Sequence, residues 1–202
     1  MPLLALAYSA ANGNAPAPLR RLVLVDLLAS CAGDTLLLAR EATSFALGSA
    51  AFAVAHVAAI LALARLGSSN VNGAIRRYPW LLAVFALAWV APNLAIVPNS
   101  GALAFVVVPY SALLLAMAAC ALETIGRIPR AAAFPLALGA LAFVESDSAI
   151  AFARFAPAFA PPRAEIVVIV FYLLAQTLIA YGFTRAAAFT RDGARTSAPH
   201  TA

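Results

Sequence analysis

The sequence predicts an all-α, polytopic transmembrane bundle of six full spans plus a short apolar N-terminal segment. Three observations carry that expectation. The 202 residues are 64% hydrophobic and only 10% charged, with a mean hydropathy of +0.94. Soluble domains average about 25% charged and about 45–50% apolar residues, so lipid rather than water must cover this surface. The apolar residues also fall into runs near the roughly 20 residues that cross a hydrocarbon core of about 30 Å. Finally, every basic residue is Arg, and nearly all arginines flank those runs, as membrane topology requires.

Met1 to Ala11 is apolar, but as a helix it spans only about 17 Å and cannot cross alone. It lacks the basic flank of a signal peptide. A turn-rich loop, Asn12 to Pro18, leads to a first span over about 21–39, closed by Arg40 and Glu41. The second span covers about 44–66. The third, about 79–97, has Pro79 in its first turn and Pro92 inside it. The fourth runs over about 101–123 with Pro109 inside, the fifth over about 131–153, and the sixth over about 164–186. Residues 1–186 thus form one transmembrane domain, and the polar remainder, 187–202, reads as a disordered cytoplasmic tail. Ten of the arginines fall on the side that carries the C-terminus and three (Arg40, Arg154, Arg163) on the other, which predicts a multi-pass protein of a bacterial cytoplasmic membrane with its C-terminus cytoplasmic. The formal charge of +5 and pI near 9.9 are explained by this topology, so no nucleic-acid partner is expected. Cys31 and Cys120 lie inside apolar helices without metal-ligand spacing and read as packing residues.

Two carboxylates stand out. Asp34 lies in the first span and Asp147 in the fifth, where an ionisable side chain costs roughly 2.5–3.5 kcal/mol on insertion scales. Asp34 precedes Arg40 by about six residues and Asp147 precedes Arg154 by about seven, so both sit about 9–10 Å inside the same face of the membrane. Equal depth permits a shared site. Asp26, Ser30 and Asp34 follow i, i+4, i+8 spacing and line one helix face, although Asp26, near Arg21, also reads as a boundary residue. Gly33, next to Asp34, allows close helix or substrate approach.

His56, near the membrane centre, shares a face with Ser49. Ser146 adjoins Asp147, Glu145 points elsewhere, and Tyr172 and Gln176 form an i, i+4 polar pair on the sixth span. For each of these the structural alternative is a hydrogen bond that ties helices together. Tyr110 is less informative, and Glu123 reads as an i, i+4 ion pair with Arg127 at a membrane boundary. The segment Ala46–His56 also aligns with Ala137–Asp147, matching Gly48 to Gly139, Phe52 to Phe143 and His56 to Asp147, which raises an internal inverted repeat. No metal or cofactor is expected: the second histidine is His200 in the tail, and no P-loop, dinucleotide, nucleophile-elbow or zincin motif is present. What remains is acid–base chemistry by two carboxylates within a bilayer.

The stretch SCAGDTLL (Ser30–Leu37) resembles the S-x-x-G-D-x-x-L signature of the YhhN-type lysoplasmalogenase family. FALGSAAFAVAH resembles its Gly/Phe/His helix, LAFVESDSAIA its Ser-Asp helix, and YLLAQTLIAYG its final helix, in the family's order from Arg20 to Phe183. The family pattern is eight spans, opening with a helix and a Lys-Pro-Leu segment. Met1-Pro2-Leu3-Leu4 is similar to that segment with Met in place of Lys, which leaves the opening helix without a counterpart.

The resemblance implies hydrolysis of the vinyl-ether bond of lysoplasmalogens to a fatty aldehyde and a glycerophospho-base, with a lysophospholipid and membrane lipid as partners. It puts Asp34 and Asp147 in the catalytic role, with Ser30, Gly33, His56, Ser146, Tyr172 and Gln176 binding substrate or supporting them. The chemistry suits the residues: an acid protonates the alkene carbon, and a second carboxylate stabilises the resulting oxocarbenium ion and steers water, as in glycosidases. Which Asp is the acid is left open. The alternatives are a carrier or proton-coupled transporter built on the same carboxylates, or a lipid-binding protein without chemistry.

Overall fold

The computed structural model describes residues 2–13, 15–39, 41–67 and 72–196, with side chains described as far as Phe189. Its long helices are α2 (Ala17–Leu37), α3 (Ala42–Ala64), α5 (Leu81–Ile96), α6 (Ala104–Glu123), α7 (Arg130–Phe155) and α8 (Ala164–Thr196), with the short α1 (Pro2–Ala11) and α4 (Ala74–Arg77). No strand occurs among the described residues. The expected helical membrane bundle is therefore what the chain forms, each expected span lying within a few residues of a helix start.

Two boundaries differ from expectation. Among the described residues, five helices are long and apolar enough to cross a membrane: Ala42–Ala64, Leu81–Asn99, Gly101–Glu123, Arg130–Phe155 and Ala164–Phe189. The first expected span, α2, has the length at 21 residues, but Arg20, Arg21, Asp26 and Asp34 keep it from being uniformly apolar. At the other end, α8 continues to Thr196, so 187–196, expected in the tail, are helical, because AAAFTRDGART holds no proline and only one glycine to stop the helix. Arg40 and residues 197–202 lie outside the described residues.

Glycines set the two closest helix pairs. An added Cβ at Gly139 of α7 would lie 2.9 Å from the Ala175 carbonyl oxygen of α8, and one at Gly182 of α8 would lie 2.6 Å from Leu136 of α7. At the α2–α3 seam, a Cβ at Gly48 would stand 2.9 Å from Leu37 and 3.3 Å from the Gly33 carbonyl oxygen. Without a driving force that separates apolar side chains from apolar lipid, such close backbone approach is what lets membrane helices adhere. The aligned glycines thus have different neighbours. Gly48 meets the helix that precedes its own, and Gly139 meets the helix that follows. A duplicated unit would repeat the same neighbour, so the packing does not reproduce the inverted repeat.

The remaining helices are held by polar ties. Asn12, at the end of α1, donates to Thr184 of α8 at 2.9 Å, and Arg20 donates to the Gly13 carbonyl at 2.9 Å. Glu123 does not pair with Arg127. Its carboxylate accepts from the Gly73 and Arg76 amides at 3.2 and 3.1 Å, capping the short α4, and lies 3.5 Å from the Arg76 guanidinium. Arg127 instead donates to the Leu66 carbonyl at 3.4 Å. Two unsatisfied amides at a helix start, with the Arg76 guanidinium beside them, offer the carboxylate more than Arg127 alone would. Helix α5 is the most loosely attached: Ile96 is buried within it, and Leu82, Val84, Leu87, Val90 and Leu94 are exposed.

Candidate active site

The bundle brings Asp34 and Asp147 together from α2 and α7 by giving each its own tyrosine. Tyr172 of α8 donates to Asp34 Oδ2 at 2.7 Å. Tyr110 of α6 donates to Asp147 Oδ2. Phe143, one turn before Asp147 on α7, packs edge to face on the Tyr172 that holds Asp34, which joins the two tyrosine–carboxylate pairs. Between them stands an aromatic cluster in which Phe52, Phe143 and Tyr172 meet edge to face, with centroids 5.6–6.0 Å apart, near the spacing such pairs favour. The fifth helix of this arrangement is α3, which contributes Phe52 and His56.

His56 is 1% exposed. Its ring stacks edge-on to Phe143 with centroids 4.9 Å apart, and its Nε2 lies 3.1 Å from the Tyr110 hydroxyl and 4.0 Å from Asp147 Oδ2. When Tyr110 spends its proton on Asp147, its oxygen can only accept, so Nε2 must be the protonated nitrogen of a neutral imidazole. The chain His56 to Tyr110 to Asp147 is therefore a directed file of hydrogen bonds. With the proton on Asp147 instead, the same three groups can point the other way, and Tyr110 then donates to a bare Nε2.

Asp147 and Tyr110 also line a cleft of about 760 Å³, its open mouth included. The cleft is bounded by α3 (Phe45, Ser49, Phe52), α5 (Pro92, Asn93, Ile96), α6 (Val107, Ser111, Leu114) and α7 (Val144, Ser148, Ile150). Its wall is mostly apolar with a few placed polar groups, the composition usual for ligand pockets. Arg154 stacks over the Phe45 ring at 4.5 Å and lies 5.7 Å from the Phe155 ring, next to the cleft's Phe45 wall.

Not every residue singled out from the sequence lies at this centre. Ser146 donates to the Val168 carbonyl of α8 at 3.2 Å, because neighbours on a helix point about 100° apart and Asp147 takes the cleft side. Gly33 is a packing position, where a Cβ would come within 2.5 Å of the Phe52 ring. Ser30 and Gln176 are fully buried, one turn along α2 and α8 from Asp34 and Tyr172; the Ser30 hydroxyl has no hydrogen-bond partner, and the Gln176 amide lies beside Tyr172. Asp26 is buried as well, with Oδ2 unpartnered, and Glu145 is exposed.

Three residues of the centre went unrecognised or were set aside. Tyr110, less informative in the sequence than the carboxylates, joins His56 to Asp147. Asn93 and Ser111, in the cleft wall, carried no signal beyond being polar within an apolar span. Among the described residues no three His, Cys, Asp or Glu side chains come together as metal ligands would.

Helices of this length and apolarity define a multi-pass helical membrane protein, in which Asp34 and Asp147 are each held by a tyrosine and Asp147 lines an apolar cleft. The chain belongs to the YhhN family, whose family model matches residues 1–183. Neither the curated proteins nor the solved structures hold a match to it.

Proposed function

We propose that this protein is a membrane hydrolase that cleaves the vinyl-ether bond of lysoplasmalogens or a closely related lysolipid, giving a fatty aldehyde and a glycerophospho-base. The observation that carries the reading is Asp147, set in the wall of an apolar cleft and backed by Tyr110 and His56. An alkenyl chain fits such a cleft, and the reaction needs an acid at its polar end.

In this mechanism Asp147 is the acid. With Oδ2 held by Tyr110, Oδ1 gives its proton to the alkene carbon remote from the ether oxygen, and the carbon bonded to oxygen becomes an oxocarbenium centre. Asp34, held by Tyr172, stabilises that cation through space. Water adds to the cationic carbon and loses a proton to Asp147, which restores the acid and leaves a hemiacetal. The hemiacetal then breaks its bond to the glycerol oxygen: the hydroxyl proton passes to that oxygen, and the aldehyde departs. One water is consumed per turnover. Tyr110, with His56 behind it, holds Oδ2 and so keeps Oδ1 turned to the substrate. General acid–base catalysis of this kind contributes about 10²–10⁴-fold.

By the arginine bias, the C-terminal end is on the cytoplasmic side of the membrane in this proposal. The substrate is drawn from the lipid, and no nucleic acid takes part. The test is aldehyde release from a lysoplasmalogen by the detergent-purified protein, beside Asp34→Asn and Asp147→Asn. Release by the parent, lost in both variants, supports the proposal; a folded parent without release, or two fully active variants, overturns it. A carrier would instead show substrate-dependent flux in vesicles and no aldehyde, and the repeat that made a carrier attractive is not reproduced by the packing.

A further inference from the structure

The α5–α6 side of the cleft holds a second polar cluster, Trp89, Asn93 and Ser111, whose hydrogen bonds can be counted to completion. The Ser111 hydroxyl donates to the Val108 carbonyl at 3.0 Å. Its oxygen accepts from Trp89 Nε1 at 3.0 Å and from Asn93 Nδ2 at 3.1 Å, which fills both lone pairs. Asn93 Nδ2 gives its other proton to the Trp89 carbonyl at 2.8 Å. A carbonyl can only accept, so this bond fixes which end of the amide is nitrogen. Trp89 Nε1 is shared with the Val108 carbonyl at 3.4 Å. Every donor in the cluster is spent, and one strong acceptor is left over: Asn93 Oδ1 is buried with no partner.

Leaving a buried acceptor unsatisfied is unfavourable, and the neighbouring wall offers it nothing. Ala88, Pro92, Ile96, Leu114 and Leu115 are apolar. Asn93 shares the cleft with Asp147, and Ser111, which holds its amide, follows Tyr110 directly on α6. A ligand that enters the cleft with a hydroxyl near its reactive end would supply the missing donor.

We propose that Asn93 Oδ1 accepts the free glycerol hydroxyl of a lysolipid, and that Asn93 thereby sets the preference for a lipid with one unsubstituted glycerol oxygen over lipids in which that oxygen is capped or absent. The inference rests on the hydrolase reading for the identity of the ligand. In a lysoplasmalogen the hydroxyl and the vinyl ether sit on adjacent carbons, so a substrate with its alkene at Asp147 presents the hydroxyl in the same cleft. A capped oxygen has no proton to give, and seating it against Asn93 leaves Oδ1 both desolvated and unpaired. A site built to hydrogen-bond a hydroxyl rejects the analogue lacking it more strongly than an apolar pocket could.

Trp89 supplies a readout that does not depend on catalysis. In a Trp80→Phe background it is the remaining indole of the chain's two. The purified protein in detergent would be titrated with a non-hydrolysable alkyl-ether lysophospholipid and with its 2-deoxy counterpart, following Trp89 fluorescence. The expected result is binding of the hydroxylated ligand tighter by roughly ten- to a hundredfold, the range for an unpaired buried acceptor. Asn93→Leu should bring the two affinities together by weakening the hydroxylated ligand alone, with Asn93→Ala as the second variant. Equal affinities in the parent, or a preference that survives in a variant still binding the deoxy ligand, would overturn the proposal. If both variants lose both ligands, the parent comparison decides it. Discrimination without aldehyde release would sink the hydrolase reading and leave this subsite standing; aldehyde release without discrimination would do the reverse.

Discussion

Tyr110 stands between His56 and Asp147 and is the one hydrogen-bonded route from one to the other: Nε2 is 3.1 Å from the tyrosine oxygen but 4.0 Å from the carboxylate. At the longer distance no direct hydrogen bond forms. Whatever His56 contributes to Asp147 passes through a phenol that can accept on one side and donate on the other.

That geometry predicts a particular non-additivity. Tyr110→Phe should lower kcat by about 10–100-fold, and His56→Phe by less. The double variant should be no slower than Tyr110→Phe alone, since residues in one hydrogen-bond file do not act independently. Aldehyde-release rates for the three proteins check this. A double variant slower by the product of the single effects would mean that His56 reaches the reaction by another route.

Asp26 offers the opposite expectation to Asp34 and Asp147. Its Oδ2 is buried without a partner, and it does not line the cleft. Replacing an unpaired buried carboxyl by an apolar side chain of similar size removes a desolvation penalty. Asp26→Leu should therefore keep aldehyde release within about twofold and leave the apparent Tm in detergent unchanged or higher. A large loss of activity would give Asp26 a part in the reaction.

The two glycine seams should fail differently. A methyl group at Gly139 meets backbone, the Ala175 carbonyl at 2.9 Å and the Ile179 amide at 3.0 Å, whereas one at Gly33 meets the Phe52 ring at 2.5 Å. Backbone cannot yield without parting α7 from α8, and overpacking costs about 1–3 kcal/mol. Gly139→Ala should lower the apparent Tm more than Gly33→Ala. The latter, by pushing the ring that touches Phe143 and Tyr172, should affect the reaction rate more than the melting temperature.

At the far end of α6, Glu123 caps α4 through two backbone amides. Loss of a cap typically costs about 1 kcal/mol, and an exposed ion pair is worth less. Glu123→Ala should lower the apparent Tm, and Arg76→Ala should leave it nearly unchanged, because the amide of residue 76 survives the substitution. Equal shifts in the two would make the ion pair, not the cap, the stabilising element.

The sequence made the carboxylates visible because a charge inside an apolar run is anomalous wherever the helix faces. The helices themselves were equally plain, since length and hydropathy suffice to mark them. Tyr110, Asn93 and Ser111 were not visible for the converse reason. Tyrosine, asparagine and serine are tolerated in membrane helices as interhelical ties, and what distinguishes these three is a partner: Asp147 lies 37 residues beyond Tyr110, and Ser111 lies 18 beyond Asn93. Ser146 erred in the other direction. Adjacency in sequence suggested a shared role with Asp147, but one helical residue is enough to turn it towards α8. The Gly48–Gly139 alignment misled similarly, because two small residues can serve one purpose in two unrelated seams.

Helix α5 carries Asn93 into the cleft, yet Ile96 alone among its residues is buried. A wall so thinly backed by protein is backed by acyl chains, and a lipid can come to it sideways without leaving the leaflet. Concentration then takes on a two-dimensional meaning. The quantity that saturates such a site is the mole fraction of substrate among its neighbours in the sheet, so diluting the protein and substrate in buffer should leave the rate alone, whereas adding inert detergent or phospholipid at fixed bulk substrate should depress it.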